Sequence, residues 1–214
     1  MKKLCIVIPF RNREMHLKQL VPVLKKMLDE QKLEYKICVV EQDNEETFNR
    51  ARLLNIGFDL NRECDYFCFH DVDLLPLESD YTYTEHPTHL SAHCSQFNFE
   101  LPYPTLLGGV MVINKEDFLK VNGYSNMYAG WGCEDDDLYY RCIISGLKVM
   151  RKPGRYTSLY HERNIDSKKH KVNIDRYVKV QKEKLDIHAE GLNTLSYVVT
   201  LNFENRDYTH YKVS

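Results

Sequence analysis

The stretch Asp65-Tyr66-Phe67-Cys68-Phe69-His70-Asp71-Val72-Asp73 decides how this chain reads. Tyr66 to Phe69 form an apolar run of strand length, and the run opens onto Asp-x-Asp. A strand that ends this way presents two carboxylates at its exposed tip. One can bind a divalent cation while the other reaches a sugar hydroxyl. That is the equipment needed to handle a nucleoside diphosphate, whose phosphate charge a metal must neutralise. A second acidic cluster, Trp131-Gly132-Cys133-Glu134-Asp135-Asp136-Asp137, follows about 60 residues later and offers a carboxylate for general-base work.

Working outward, Leu4 to Pro9 is a short continuous apolar run rich in β-branched residues, the pattern of a buried strand. Asn12 is a candidate cap for the next segment, with Glu14 in its first turn. Leu17, Leu20, Val21, Leu24, Met27 and Leu28 then recur at helical spacing to about Gln31. Tyr35 to Val40 reads as a second strand, and Phe48 to Leu60 as a second helix with Ala51, Leu54, Asn55 and Phe58 on one face. The order β-α-β-α-β predicts an α/β fold with a mostly parallel sheet wrapped by helices. Ligands of such sheets bind at the carboxyl ends of the strands. Pro9-Phe10-Arg11, Glu41-Gln42-Asp43 and Asp71-Val72-Asp73 all fall there, so the residues alone place a site at that rim.

Beyond Pro76 the pattern loosens. Leu107 to Ile113 reads as a strand containing Gly108-Gly109, Lys115 to Val121 as a short helix, and Leu138 to Ser145 as a helix ended by Gly146. The dipole of that last helix starts beside the second acidic cluster. Leu147 to Arg151 and Leu195 to Phe203 read as further strands. The polar segment His161 to Lys184 reads as a long loop plus a helix, a candidate mobile lid.

Composition narrows the class. The 214 residues suit a single domain spanning 1–214. With 43% apolar and 28% charged residues the chain is neither disordered nor membranous, and a net charge of −2 gives no case for nucleic acid as a partner. The 15 tyrosines suit core and surface packing or a stacking surface for sugars and bases. Leu4 to Phe10 is too short for a signal peptide or a membrane anchor, and no other stretch reaches membrane length. The seven cysteines are odd in number and form no CxxC pair, which predicts reduced, mostly buried thiols in a cytoplasmic protein and no zinc site. Nothing in the composition sets an oligomeric state.

Six motifs occur in order: Ile8-Pro9-Phe10-Arg11-Asn12-Arg13, Phe48-Asn49-Arg50-Ala51, His70-Asp71-Val72-Asp73-Leu74-Leu75-Pro76, Gly108-Gly109-Val110, Trp131 to Asp137, and Glu190-Gly191-Leu192-Asn193. Together they resemble the catalytic domain of the β-1,4-galactosyltransferase family, from about Leu4 to Val199. The resemblance implies a GT-A fold and an inverting, metal-dependent transfer from a UDP-sugar to O4 of a glycan or glycolipid-precursor acceptor. It implies that Pro9, Phe10, Arg11 and Arg13 hold the nucleotide, with Phe48 near uracil and Arg50 close by. Asp71, Val72, Leu106, Gly108 and Gly109 complete the donor set. Asp73 and His161 would bind Mn²⁺, with Mg²⁺ as the other candidate. Trp131, the only tryptophan and flanked by glycines, would sit over the donor and move with the lid. Glu134 would hydrogen-bond the donor sugar, and Asp135 would be the base.

The chain also departs from that pattern. Ser158 stands where the family often has a methionine metal ligand, Gln96 where a lysine is expected near the phosphates, and Cys133 in place of a glycine. Leu106 stands where galactose-transferring members usually carry tyrosine, opening space for an acetamido group and predicting UDP-GalNAc as a donor besides UDP-Gal. Tyr103 and Asp136 fall in the acceptor region. Arg176, Tyr177 and Val180 fall where GlcNAc-using members grip the N-acetyl group, implying a terminal GlcNAc acceptor. Two alternatives stand beside this reading. One is a chondroitin-type GalNAc transferase with a uronic-acid-ended acceptor; the other is a non-catalytic UDP- or glycan-binding module.

Overall fold

The computed structural model describes residues 1–162 and 165–214, so two residues of the expected lid segment lie outside the described residues. In chain order the elements are β1 (Lys3–Phe10), α1 (Glu14–Glu30), β2 (Glu34–Gln42), α2 (Arg50–Asp59), β3 (Tyr66–His70), β4 (Leu74–Glu78), β5 (Thr88–His89), β6 (His93–Cys94) and β7 (Val110–Asn114). Then come α3 (Lys115–Lys120), α4 (Glu134–Ile144), β8 (Met150–Arg151), β9 (Arg155–Ser158), α5 (Ser167–Glu183), β10 (Val199–Glu204) and β11 (Thr209–Val213).

Among the described residues β1 lies near the middle of an eight-stranded sheet ordered β10-β11-β2-β1-β3-β7-β5-β8. It pairs in parallel with β2 and β3, as the β-α-β-α-β order predicts. The sheet is mixed rather than parallel throughout, because β7 runs antiparallel to both β3 and β5. Alternate side chains of β1 feed the two faces. Leu4, Ile6, Ile8 and Phe10 pack with the apolar stripe Leu17, Leu20, Leu24 and Leu28 of α1. Cys5 and Val7 pack with Leu54 and Phe58 of α2, Phe118 of α3, and Leu138 and Cys142 of α4. Both faces are therefore covered, which is why β1 reads as an unbroken apolar run. A small second sheet, β4-β9-β6, adds Leu74, Cys94 and Tyr156 to the α1 side.

Local boundaries depart from the sequence reading for identifiable reasons. Asn12 does not cap α1, because it adopts a left-handed conformation (φ 52°) and Arg13 takes the cap position. Phe48 lies outside α2, whose cap is Asn49, its side chain accepting a hydrogen bond from the Arg52 amide. β7 begins only at Val110, because Gly109 turns with φ +84° and its carbonyl accepts from the Asp71 amide instead of a neighbouring strand. α4 starts at Glu134 rather than Leu138, drawing all four acids into its first turn, where the helix dipole favours them. The strand expected over 147–151 shrinks to Met150–Arg151, and β11, which extends the sheet beside β2, carries no period that the sequence reading used. Six of the seven cysteines are buried, and Cys133 is half-buried. No helix among the described residues is long and apolar enough to cross a membrane.

Candidate active site

The carboxyl ends of β1, β2 and β3 carry the rim on which the expected nucleotide residues sit. Pro9 and Phe10 end β1 and are buried, with Phe10 edge-on to His210 at 5.7 Å. Arg11 leaves the strand, donates 2.7 Å to the Glu46 carbonyl and lies 5.2 Å from the centre of the Phe48 ring. Arg13 donates only to the neighbouring Asn12 carbonyl, at 3.3 Å. A cavity of about 460 Å³ opens beside these residues, lined by Gln42, Thr47, Asn49 and Arg52 among others.

Arg50, at the first turn of α2, ties the two acidic clusters together. Its Nε donates 2.6 Å to Asp71, its Nη1 lies 3.7 Å from Glu134, and its Nη2 donates 3.5 Å to the Gly109 carbonyl. Val72 is buried between Asp71 and Asp73. Asp73 Oδ2 lies 3.3 Å from Nδ1 of His161, which approaches from the end of the segment after β9. That nitrogen is buried and makes no hydrogen bond among the described residues; with the ring proton on Nε2 it would turn a lone pair toward the carboxylate. Two ligand atoms at about 2.1–2.3 Å from one ion, at a right angle, lie about 3 Å apart, which fits a shared divalent cation. Burial first, and then the charge of Asp71, raises the Asp73 pKa. Among the described residues no group of three His, Cys, Asp or Glu is placed to hold a metal ion. A second cavity, about 650 Å³, adjoins His161 and is lined by Gln96, Ser158 and Tyr160 among others.

The first turn of α4 supplies the remaining carboxylates. Burial, followed by repulsion from Asp135, pushes Glu134 up to about 7, and its Oε2 is buried without a partner. Burial likewise raises Asp135, and burial with the charge of Asp135 lifts Asp136 to about 6. Asp137 is different in kind, since Arg141 donates 2.6 Å to it in the interior of the fold. Gly108 lies hard against Asp135: a Cβ at that position would stand 2.6 Å from Oδ2. Leu106 Cδ1 borders the same space, 3.7 Å from that Cβ position. The Tyr103 phenol hydrogen-bonds Asp136, and burial first, then the charge of Asp135, raises its pKa.

Trp131 is 54% exposed, and its indole rests on the His170 ring with centroids 4.6 Å apart. His170 and Asn173 of α5 both contact the Trp131 carbonyl, at 3.0 and 3.3 Å, so helix and loop are joined. Of the residues expected to hold an acceptor, Tyr177 accepts a hydrogen bond from Gln181 at 2.9 Å, and burial, then the charges of Asp136 and Asp137, raises its phenol to about 12. Arg176 instead donates 3.0 Å to Glu190, which also accepts 3.0 Å from Arg141 and 2.9 Å from the Asn126 amide. Val180 is 6% exposed and packs inward.

The sequence reading assigned no role to several residues that shape this site. His16 contacts the Tyr160 carbonyl through Nε2 at 3.2 Å and meets the His161 ring edge-on. His70 is buried between the Asp71 carbonyl and the Tyr81 hydroxyl, where burial lowers its pKa to about 4. Glu190 was visible as part of a motif, but its ionic hub joins segments more than 40 residues apart, which no spacing rule reveals.

Comparison with known proteins bears on all of this. Residues 1–86 match the N-terminal region of glycosyl transferase group 7, and residues 88–162 match the family described as N-terminal domain of galactosyltransferase. The chain is 41% identical over 203 residues to β-1,4-galactosyltransferase 2 of Cricetulus griseus, covering 91% of this chain and 54% of that protein. It is 41% identical over 205 residues to β-1,4-galactosyltransferase 1 of Bos taurus, covering 92% of this chain and 50% of that one. The chain thus spans about half the length of these curated relatives. Among solved structures, a mutant of Drosophila β-1,4-galactosyltransferase 7 in complex with manganese, UDP-Gal and xylobiose superposes with a TM-score of 0.83. Identity is 30%, with 100% of this chain and 94% of that one covered. The catalytic domain of the same enzyme with xylobiose gives 0.84 at 31% identity.

Proposed function

This chain belongs to the β-1,4-galactosyltransferase family, and from that premise we propose that it transfers a hexose from a UDP-sugar to O4 of a carbohydrate acceptor with inversion. The observation that carries the proposal is the convergence of Asp73, His161, Arg50, Glu134 and Asp135, remote in sequence, on one rim of the sheet. Mn²⁺ held by Asp73 and His161 would neutralise pyrophosphate charge as UDP departs. Asp135 takes the proton of the acceptor hydroxyl as that oxygen bonds the anomeric carbon and the bond from that carbon to the UDP oxygen breaks on the opposite side. Glu134, with a buried oxygen awaiting a partner, hydrogen-bonds the donor sugar, and its raised pKa suits a group that holds sugar hydroxyls near neutral pH. Arg50 keeps Asp71 and Glu134 in place, Arg11 and Phe48 form the wall for the nucleotide base, and Trp131 moves with α5 to cover the donor.

Leu106 supports acceptance of UDP-GalNAc alongside UDP-Gal, because an aliphatic side chain beside Gly108 leaves room for an acetamido group. Ser158, a hard oxygen lining the cavity at His161, supports Mg²⁺ as a second usable ion. For the acceptor, Tyr177 beside Asp136 supports a terminal GlcNAc. A xylose-ended acceptor is the second reading, favoured because Arg176 is already spent on Glu190 and because the Drosophila relative was crystallised with xylobiose. A donor-by-acceptor activity screen with Mn²⁺ and Mg²⁺ tests these readings together. Asp135→Asn is expected to abolish transfer and spare UDP binding; an Asp135→Asn enzyme with wild-type turnover would overturn the proposed mechanism.

A further inference from the structure

The segment Pro104 to Gly108 carries Leu106 and ends against Asp135, yet it belongs to no helix or strand. Among the described residues its one backbone–backbone hydrogen bond is the Leu106 amide to the Tyr103 carbonyl, at 3.3 Å. What holds it is a set of side chains from elsewhere. Arg151 Nη1 donates 2.7 Å to the Leu106 carbonyl and also to Nδ1 of His89, while its Nη2 donates to the Pro104 carbonyl. His89 Nε2 donates 2.8 Å to the Gly108 carbonyl, and the Ser91 hydroxyl donates to it as well, at 3.0 Å. Alternate carbonyls 104, 106 and 108 are thus gripped in sequence. The grip is built into the sheet, because His89 and Arg151 are register partners of β5 and β8.

The chemistry of the grip is specific. One histidine can accept from Arg151 at Nδ1 and donate to Gly108 from Nε2 only as the neutral Nε2–H tautomer. The planar guanidinium fork reaches three acceptors at once, which an ammonium on a flexible stem does not. Arg151 forms no ion pair among the described residues, so its donors serve carbonyls and the imidazole rather than a charge partner.

We propose that Arg151 and His89 are positioning residues that set where Leu106 and Gly108 stand relative to the donor sugar and Asp135, and that this clamp governs recognition of the sugar half of the donor. The inference rests on the transferase reading above. UDP alone lacks the sugar, so the clamp acts on UDP-sugar binding and not on UDP binding.

The test is calorimetric titration of UDP, UDP-Gal and UDP-GalNAc, with Mn²⁺, into wild type, Arg151→Met and Arg151→Lys, paired with kcat and KM for both donors. Both variants are expected to bind UDP within twofold of wild type. Both are expected to lose tenfold or more in UDP-sugar affinity and to change the UDP-Gal to UDP-GalNAc kcat/KM ratio at least fivefold. A uniform loss of UDP and UDP-sugar affinity, or no change in either, overturns the clamp. Arg151→Lys keeps the charge, so it remains a test should Arg151→Met fail to fold. Wild type that binds neither UDP nor UDP-sugar would instead overturn the transferase reading.

Discussion

Gly108→Ala tests whether the base is held in place by backbone contact. The added Cβ would stand 2.6 Å from Asp135 Oδ2 and 3.3 Å from its Cγ. An ordinary carbon–oxygen contact is about 3.4 Å, so one partner must give about 0.8 Å. The loop has little freedom to yield, because His89 and Ser91 hold the Gly108 carbonyl. The carboxylate therefore moves. A displacement near 1 Å at a reacting group costs on the order of 100-fold in rate, or about 2.7 kcal/mol of barrier. We expect kcat to fall about 30- to 100-fold in initial-rate assays, with UDP affinity unchanged. Turnover within threefold of wild type would show that the base is not displaced by this contact.

Three further outcomes follow from the same geometry. Arg50→Met strips the shared cation from the half-buried Asp71 and Glu134 and should lower stability by about 1–3 kcal/mol in urea unfolding at pH 7.5; a loss under 0.5 kcal/mol, on the order of an ordinary surface change, would show that the cation is dispensable there. Saturating Mn²⁺ should raise the melting temperature of wild type, with about 2.7 kcal/mol of stabilisation at 100 times Kd, and His161→Ala should need at least tenfold more metal for the same rise; coincident titrations would remove His161 from the site. Glu134 titrates near 7 in the fold against an ordinary 4.5, so its ionisation costs stability that is fully felt above pH 7 and vanishes below pH 4.5. Glu134→Gln should accordingly gain about 3 kcal/mol over wild type at pH 8 and nothing at pH 4, while losing activity; a gain that grows toward acid pH would show the opposite sign.

The acidic tips, the order of the first three strands and the rim they share were legible because each is written locally. An unbroken apolar run means a strand covered on both faces, and the alternating neighbours of β1 in the two core clusters bear that out. The first two helices were legible from periodicity, and their ends were not. Whether Asn12 or Arg13 caps α1 depends on Asn12 taking a left-handed turn, which asparagine tolerates but does not require. β4, β6, β9 and β11 are short or half-exposed and pair with strands far along the chain, so no local pattern marks them.

By itself, then, the order of residues determined a mostly parallel α/β core, its carboxyl-end site and the acids that furnish it, since burial and strand alternation are properties of short stretches. Folding decided which of those acids is uncomfortable and which is satisfied. Asp135 and Glu134 are crowded while Asp137, two positions on, is matched by Arg141. It also decided that Arg176 serves Glu190, that Val180 faces inward and that Arg151 grips the loop over the base. Electrostatic and hydrogen-bond partners are set by distance in space, and along the chain these partners stand as far as 47 residues apart.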